Sequence, residues 1–89
     1  MAIAVFQDDE RGYSEWLATH NGFVANIRRS MNPIDGRIHR STCRTITGQP
    51  PRGRTWTGAY IKVCSDSRSE MFEFARSLRL KSLCKTCNP

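Results

Sequence analysis

Two short spacings carry the chemistry of this 89-residue chain: His39-x3-Cys43 near its middle and Cys84-x2-Cys87 near its end. Each pair fits on one tight turn and can grip an ion from one side. Together they supply one imidazole and three thiols, a complete tetrahedral shell for a structural zinc ion. The spacings therefore predict zinc as cofactor, with His39, Cys43, Cys84 and Cys87 as its ligands. Such a site would tie the chain's end back to its centre. A closed shell leaves no position for an activated water, so it argues against metal-dependent hydrolysis.

The fourth cysteine, Cys64, has no partner at a ligand spacing and reads as a small buried hydrophobe. His20 falls at a helix C-terminus, where it suits the dipole better than a metal. Two disulfides are the alternative use of four cysteines, but the C-x2-C spacing favours a metal knuckle. A thioredoxin-like redox role fits poorly, because no helix follows Cys87 to lower a thiol pKa. The sequence shows no carboxylate pair, nucleophile elbow or phosphate-binding loop. The glycines around Arg54-Thr55-Trp56-Thr57 lack the lysine and spacing of a P-loop. The expectation is a protein that is not an enzyme and takes no small-molecule substrate.

Charge points to the partner. The net charge is +6, but residues 1–21 carry −3 while residues 22–54 carry +6, from seven arginines against Asp35. The basic excess surrounds the first metal half-site, and a polyanion is the natural partner of such a field. Arg40, Arg44, Arg52 and Arg54 are the candidate phosphate contacts, since a guanidinium fork pairs with phosphate through two bonds. Trp56 is a candidate stacking or anchoring residue in the same stretch. Arg68, Arg76 and Arg79 are spaced like an ordinary solvated helix face. An acidic protein is the other partner class that this charge allows.

Positioning these residues requires few elements. Asp8 or Asp9 caps a helix carrying Glu10 in its first turn, with Tyr13, Trp16 and Leu17 on one face. Asn21-Gly22 stops that helix, both residues tolerating the left-handed conformation. Residues 23–28 alternate as a strand, with Phe23, Ala25 and Ile27 on one face. A turn over 31–36 leads to a short strand over 37–39 that delivers His39. Residues 47–58, rich in glycine and proline, form a loop. Residues 59–64 are the clearest strand. Ser67 and Glu70 form a capping box for a last helix running to about residue 79, with Phe72, Phe74, Ala75 and Leu78 buried. The expected fold class is α+β: a small zinc-stapled domain with a short antiparallel sheet of about three strands and two helices. A chain this small often relies on a metal to supplement its core. The apolar start, 1–6, is too short to span a membrane and lacks the basic flank of a secretion signal, so a cytoplasmic protein is expected. Reduced thiols there favour metal over disulfides.

From Arg37 onward the sequence resembles the Ada-type zinc-binding domain, the N-terminal module of the Ada methylphosphotriester DNA repair protein and of related small bacterial zinc modules. The residues that carry the resemblance are Ile38-His39-Arg40-Ser41-Thr42-Cys43-Arg44, then Tyr60-Ile61-Lys62-Val63, a helix over 70–79, and Cys84-Lys85-Thr86-Cys87-Asn88-Pro89. It covers residues 37–89 and implies a single Ada-like domain over 1–89 that approaches a DNA backbone. In that family the first ligand is a cysteine that also accepts the methyl group. Here that position is His39, and an imidazole is a poor acceptor from a phosphotriester. The resemblance thus implies a non-catalytic zinc module docking on nucleic acid, DNA in the first instance. The alternative is a zinc-stabilised protein–protein adaptor, of the kind found in phage-related or genome-defence systems.

Overall fold

Alternating β-branched and small residues build the centre of the molecule. The computed structural model of the chain describes residues 3–48, 55–87 and 89. Strand β1 (Ala4–Phe6) leads into helix α1 (Glu10–Thr19), then strands β2 (Phe23–Arg28) and β3 (Arg37–Arg40), strand β4 (Tyr60–Ser65) and helix α2 (Arg68–Ser77). The strands form one antiparallel sheet in the order β1-β4-β2-β3. The α+β class holds, with four strands where the sequence indicated about three. The additional strand, β1, pairs Ala4 with Cys64 and Phe6 with Lys62. Its alternation was hidden because Ile3, Ala4, Val5 and Phe6 are all apolar. No helix among the described residues is long and apolar enough to cross a membrane.

One helix covers each face of the sheet. On the first face Ala25, Ile27, Ile38, Ile61 and Val63 pack with Met71, Ala75 and Leu80. On the second, Val24 and Cys64 pack with Tyr13 and Trp16 of α1 and with Ile46, Cys43 and Cys84. The register explains the division: Val24 lies opposite both His39 and Cys64, so all three point to the second face. His39 therefore reaches the α1 side and Ile38 the α2 side.

The helix ends follow from local chemistry. Asp9 caps α1 by accepting from the Gly12 amide at 2.9 Å. His20 ends that helix in extended conformation and stacks on Trp16 at 4.6 Å. Left-handed geometry plays no part there, since Asn21 and Gly22 are not among the positive-φ residues. Gly22 is needed for a different reason. A Cβ on it would fall 2.4 Å from the Ser65 carbonyl oxygen and 2.5 Å from Asp66 Cα. Ser67 caps α2 by accepting from the Glu70 amide. The Glu70 carboxylate closes the box through Ser65, whose hydroxyl donates to it and accepts from the Ser67 amide. At the far end the Leu80 amide donates to Ala75 O and the Arg79 amide to Arg76 O, a Schellman cap. Its left-handed residue, with φ of 61°, is Arg79, where glycine is usual. An L-residue there costs roughly 1 kcal/mol.

Candidate metal centre

Three stretches of chain converge on the second face. Strand β3 carries His39. The turn after it is closed by the Cys43 amide donating to Arg40 O at 3.0 Å, which folds Cys43 back beside the imidazole. Ser41 pins that turn to the residue before β2: its amide donates to Gly22 O and its hydroxyl accepts from the Gly22 amide. The Tyr13 hydroxyl, buried under the sheet, donates to Ile46 O at 2.8 Å and holds the segment after Cys43. The Schellman cap then turns the chain toward β3, where the Ile38 amide donates to Ser82 O and the Cys84 amide to Ile38 O. This parallel bridge delivers Cys84 next to Cys43, and the following turn brings in Cys87.

The four residues named from their spacing are gathered in one place. One ligand atom from each of His39, Cys43, Cys84 and Cys87 lies within 4.8 Å of every other. Cys43 Sγ and Cys84 Sγ are 3.9 Å apart. A tetrahedral ion about 2.3 Å from each thiolate would set neighbouring sulfurs about 3.8 Å apart, so the spacing fits an ion. It is far longer than a disulfide, and all four cysteines are free thiols. Cys64 lies apart from the cluster, fully buried, where burial pushes its thiol up to about 12. It is the small core hydrophobe the sequence indicated.

Electrostatics prepares the donors. Burial, reinforced by the charges of Lys62 and Arg37, lowers the His39 pKa to about 4, so the ring is neutral and free to ligate at neutral pH. Burial opposes a thiolate at Cys84, but the amides of Cys87 and Thr86 donate to its sulfur and bring its pKa below the ordinary value. Burial and the neighbouring sulfurs push Cys87 the other way, against the pull of the Arg40 amide at 3.1 Å. A second negative charge in this cluster thus needs a cation to share it. Thr45 Oγ1 sits 3.0 Å from Cys43 Sγ and 3.3 Å from His39 Nδ1. From there the hydroxyl can accept from an Nδ1–H and donate to the thiolate, leaving Nε2 for a metal.

The candidate phosphate contacts divide. Arg44 is exposed immediately after Cys43. Arg40 is exposed too, but its Nε donates to Cys87 O at 3.1 Å and clamps the knuckle. Arg52 and Arg54 lie outside the described residues. Trp56 is half-buried in the α1-side cluster, and its indole N–H donates to Gly48 O at 3.1 Å. Its geometry is that of an anchor, drawing the two ends of the intervening segment together.

Several residues not singled out by pattern complete the site. Lys85, inside the knuckle, adds an exposed cation beside the ligands. Glu10 accepts from the amides of Trp56 and Thr57 and from the Thr57 hydroxyl, latching the loop to the start of α1. Burial resists the Glu10 charge, but those hydrogen bonds and Lys62 hold its pKa below the usual value. Lys62 is only 3% exposed; its Nζ donates to Asn26 Oδ1 at 2.6 Å and Trp56 O at 2.5 Å. It lies 5.8 Å from the Trp56 ring centroid and 5.9 Å from that of Tyr13. Burial draws its pKa down to about 8 despite the opposing pull of Glu10 and Cys64. A lysine in an apolar strand pattern signals such a buried contact, but the pattern does not name the partners.

Fold and site together define a small α+β domain with a His/Cys3 cluster at metal-binding distances. Comparisons of the chain with protein-family models, curated proteins and solved structures gave no significant match.

Proposed function

We propose that the chain is a non-catalytic zinc-binding module that docks on nucleic acid, DNA in the first instance, through the cations around its metal turn. The observation that carries this reading is the four-donor cluster, with Arg44 and Lys85 exposed beside it. One imidazole and three thiols with ligand atoms within 4.8 Å of one another favour zinc over harder ions. Four protein donors complete its coordination, so the metal's role is to hold β3, the turn after it and the knuckle together. The order and spacing of the ligands support an Ada-type domain in which His39 replaces the methyl-accepting cysteine. The exposed arginines then provide the approach to a phosphate backbone.

The test is fluorescence anisotropy of a labelled duplex across a salt series. Binding is expected to weaken steeply with salt, and Arg44→Ala with Lys85→Ala should reduce the log–log slope by roughly 1 to 2. Both side chains are exposed, whereas Arg40→Ala would also loosen the knuckle. Equal affinity at low and physiological salt, or a variant that binds like the parent, would contradict the reading. The second reading is a zinc-stabilised adaptor for an acidic protein. It draws support from Arg40 and Trp56, which contact Cys87 and Gly48 of the chain itself. Capture of a partner that survives nuclease treatment would favour it.

A further inference from the structure

The face of the sheet turned away from the His39 cluster carries a concave surface. A groove of about 360 Å³ runs between α2 and the segment leading into the knuckle. Its floor is apolar, made by Ile38, Ala75 and Leu80, all buried. Phe72 and Leu83 form its walls, and Leu83 is one of the few large apolar side chains left exposed, at 37%. Its volume is at the small end of the roughly 300–1,000 Å³ typical of binding pockets.

The rim is cationic. Arg76, Arg79 and Lys81 line the opening, and all three are exposed. Among the described residues, no carboxylate forms an ion pair with any of them. A fourth cation, Arg68, lies 4.4 Å from the centroid of Phe72. Arg79 is the left-handed residue of the Schellman cap, a position that glycine would occupy without strain. The fold thus keeps a guanidinium at the groove mouth against its backbone preference, a pattern associated with functional positions.

We propose that this groove docks a short acidic segment of a partner protein, one large apolar side chain entering between Phe72 and Leu83 and flanking carboxylates meeting Arg76, Arg79 and Lys81. Charge complementarity selects the acidic flanks, and the apolar floor selects the anchor. A nucleic-acid backbone would satisfy the rim but leave the floor unfilled. The proposal goes beyond the nucleic-acid reading and uses the other face of the sheet.

The probe is a fluorescein-labelled peptide with a central Leu-Phe pair flanked on both sides by Asp and Glu, titrated into the full chain. Arg76→Glu with Arg79→Glu should lower its affinity by roughly tenfold or more, as should replacing Leu-Phe with Ser-Gly. Arg79→Gly should weaken binding while raising the thermal midpoint, because glycine relieves the left-handed strain; this separates docking from folding. Equal binding of the Ser-Gly peptide, or unaltered affinity in the double variant, would overturn the proposal. So would a double variant that loses an oligothymidylate probe and leaves peptide binding intact. None of these variants touches Arg44 or Lys85, so failure here is distinct from failure of the nucleic-acid reading.

Discussion

The two faces of one sheet are stabilised by different physics. The α2 face is an apolar core in which Ile27, Ile61, Val63 and Met71 are almost completely removed from water. Burial of each such side chain contributes about 1.5–3 kcal/mol. The α1 face buries Thr57, Lys62 and His39 beside three cysteines, and is joined by the hydroxyl of Tyr13 and the carboxylate of Glu10. Directional contacts of this kind contribute little net stability while costing much if left incomplete. The α2 face holds chiefly by packing; the α1 face adds to its own apolar packing a set of polar groups that each need a partner. Buried polar groups are thereby more numerous on the α1 side, while the α2 side keeps its cations at the exposed edge of the groove.

The largest expected effect comes from removing the metal. A structural zinc contributes about 10–16 kcal/mol in small zinc domains, comparable to the roughly 5–15 kcal/mol stability of an ordinary domain. Chelation, or Cys84→Ser, should abolish amide protection first around the turn after β3 and the knuckle, with β4 and α2 retaining protection longest. Hydrogen exchange would break the comparison if both faces lost protection together. Acid applies the same perturbation gradually. Because the folded pKa of His39 is lowered to about 4 from 6.5, the unfolded chain binds more protons between those values. The His39 contribution to stability is therefore full above about 6.5 and is lost as pH falls toward 4, and acid should favour metal release in the same direction. A pH-independent midpoint across that window would contradict the assignment.

On the packed face, Met71→Ala should cost about 2–5 kcal/mol in denaturant unfolding without altering the number of metal ions bound. Gly22→Ala should cost about 1–3 kcal/mol, because its Cβ would press on backbone atoms of Ser65 and Asp66 that cannot yield as a flexible side chain does. Arg11→Ala removes only an exposed pair with Glu15 and should shift stability by less than about 0.5 kcal/mol. A larger loss there would show that the α1 surface matters more than its exposure implies.

The site was legible in the sequence to the extent that its contacts are local. His39 and Cys43 share one turn and Cys84 and Cys87 another, so each half is written in a spacing, and the donor count indicates that the halves should meet. The strands β2, β3 and β4 and both helices were legible for the same reason, through alternation and caps. What joins distant segments was not. No local pattern pairs Glu10 with Thr57, Asp8 with Arg29, or Lys62 with Asn26, since each contact joins segments brought together only by the folded chain. β1 is three residues long and gains its partner only from β4. The arginine pattern placed Arg40 with the phosphate contacts and Arg79 on a solvated helix face. The fold instead commits Arg29 to Asp8 and Arg40 to Cys87, and sets Arg79 at the mouth of a groove.

Native mass spectrometry of the chain, before and after a strong chelator and with circular dichroism alongside, tests the metal centre most directly. The account predicts one bound zinc with all four cysteines reduced, and a partial loss of the circular dichroism signal with a lowered thermal midpoint when the zinc is removed. A chain that carries no metal, or one that keeps its spectrum and thermal midpoint after complete chelation, would contradict it.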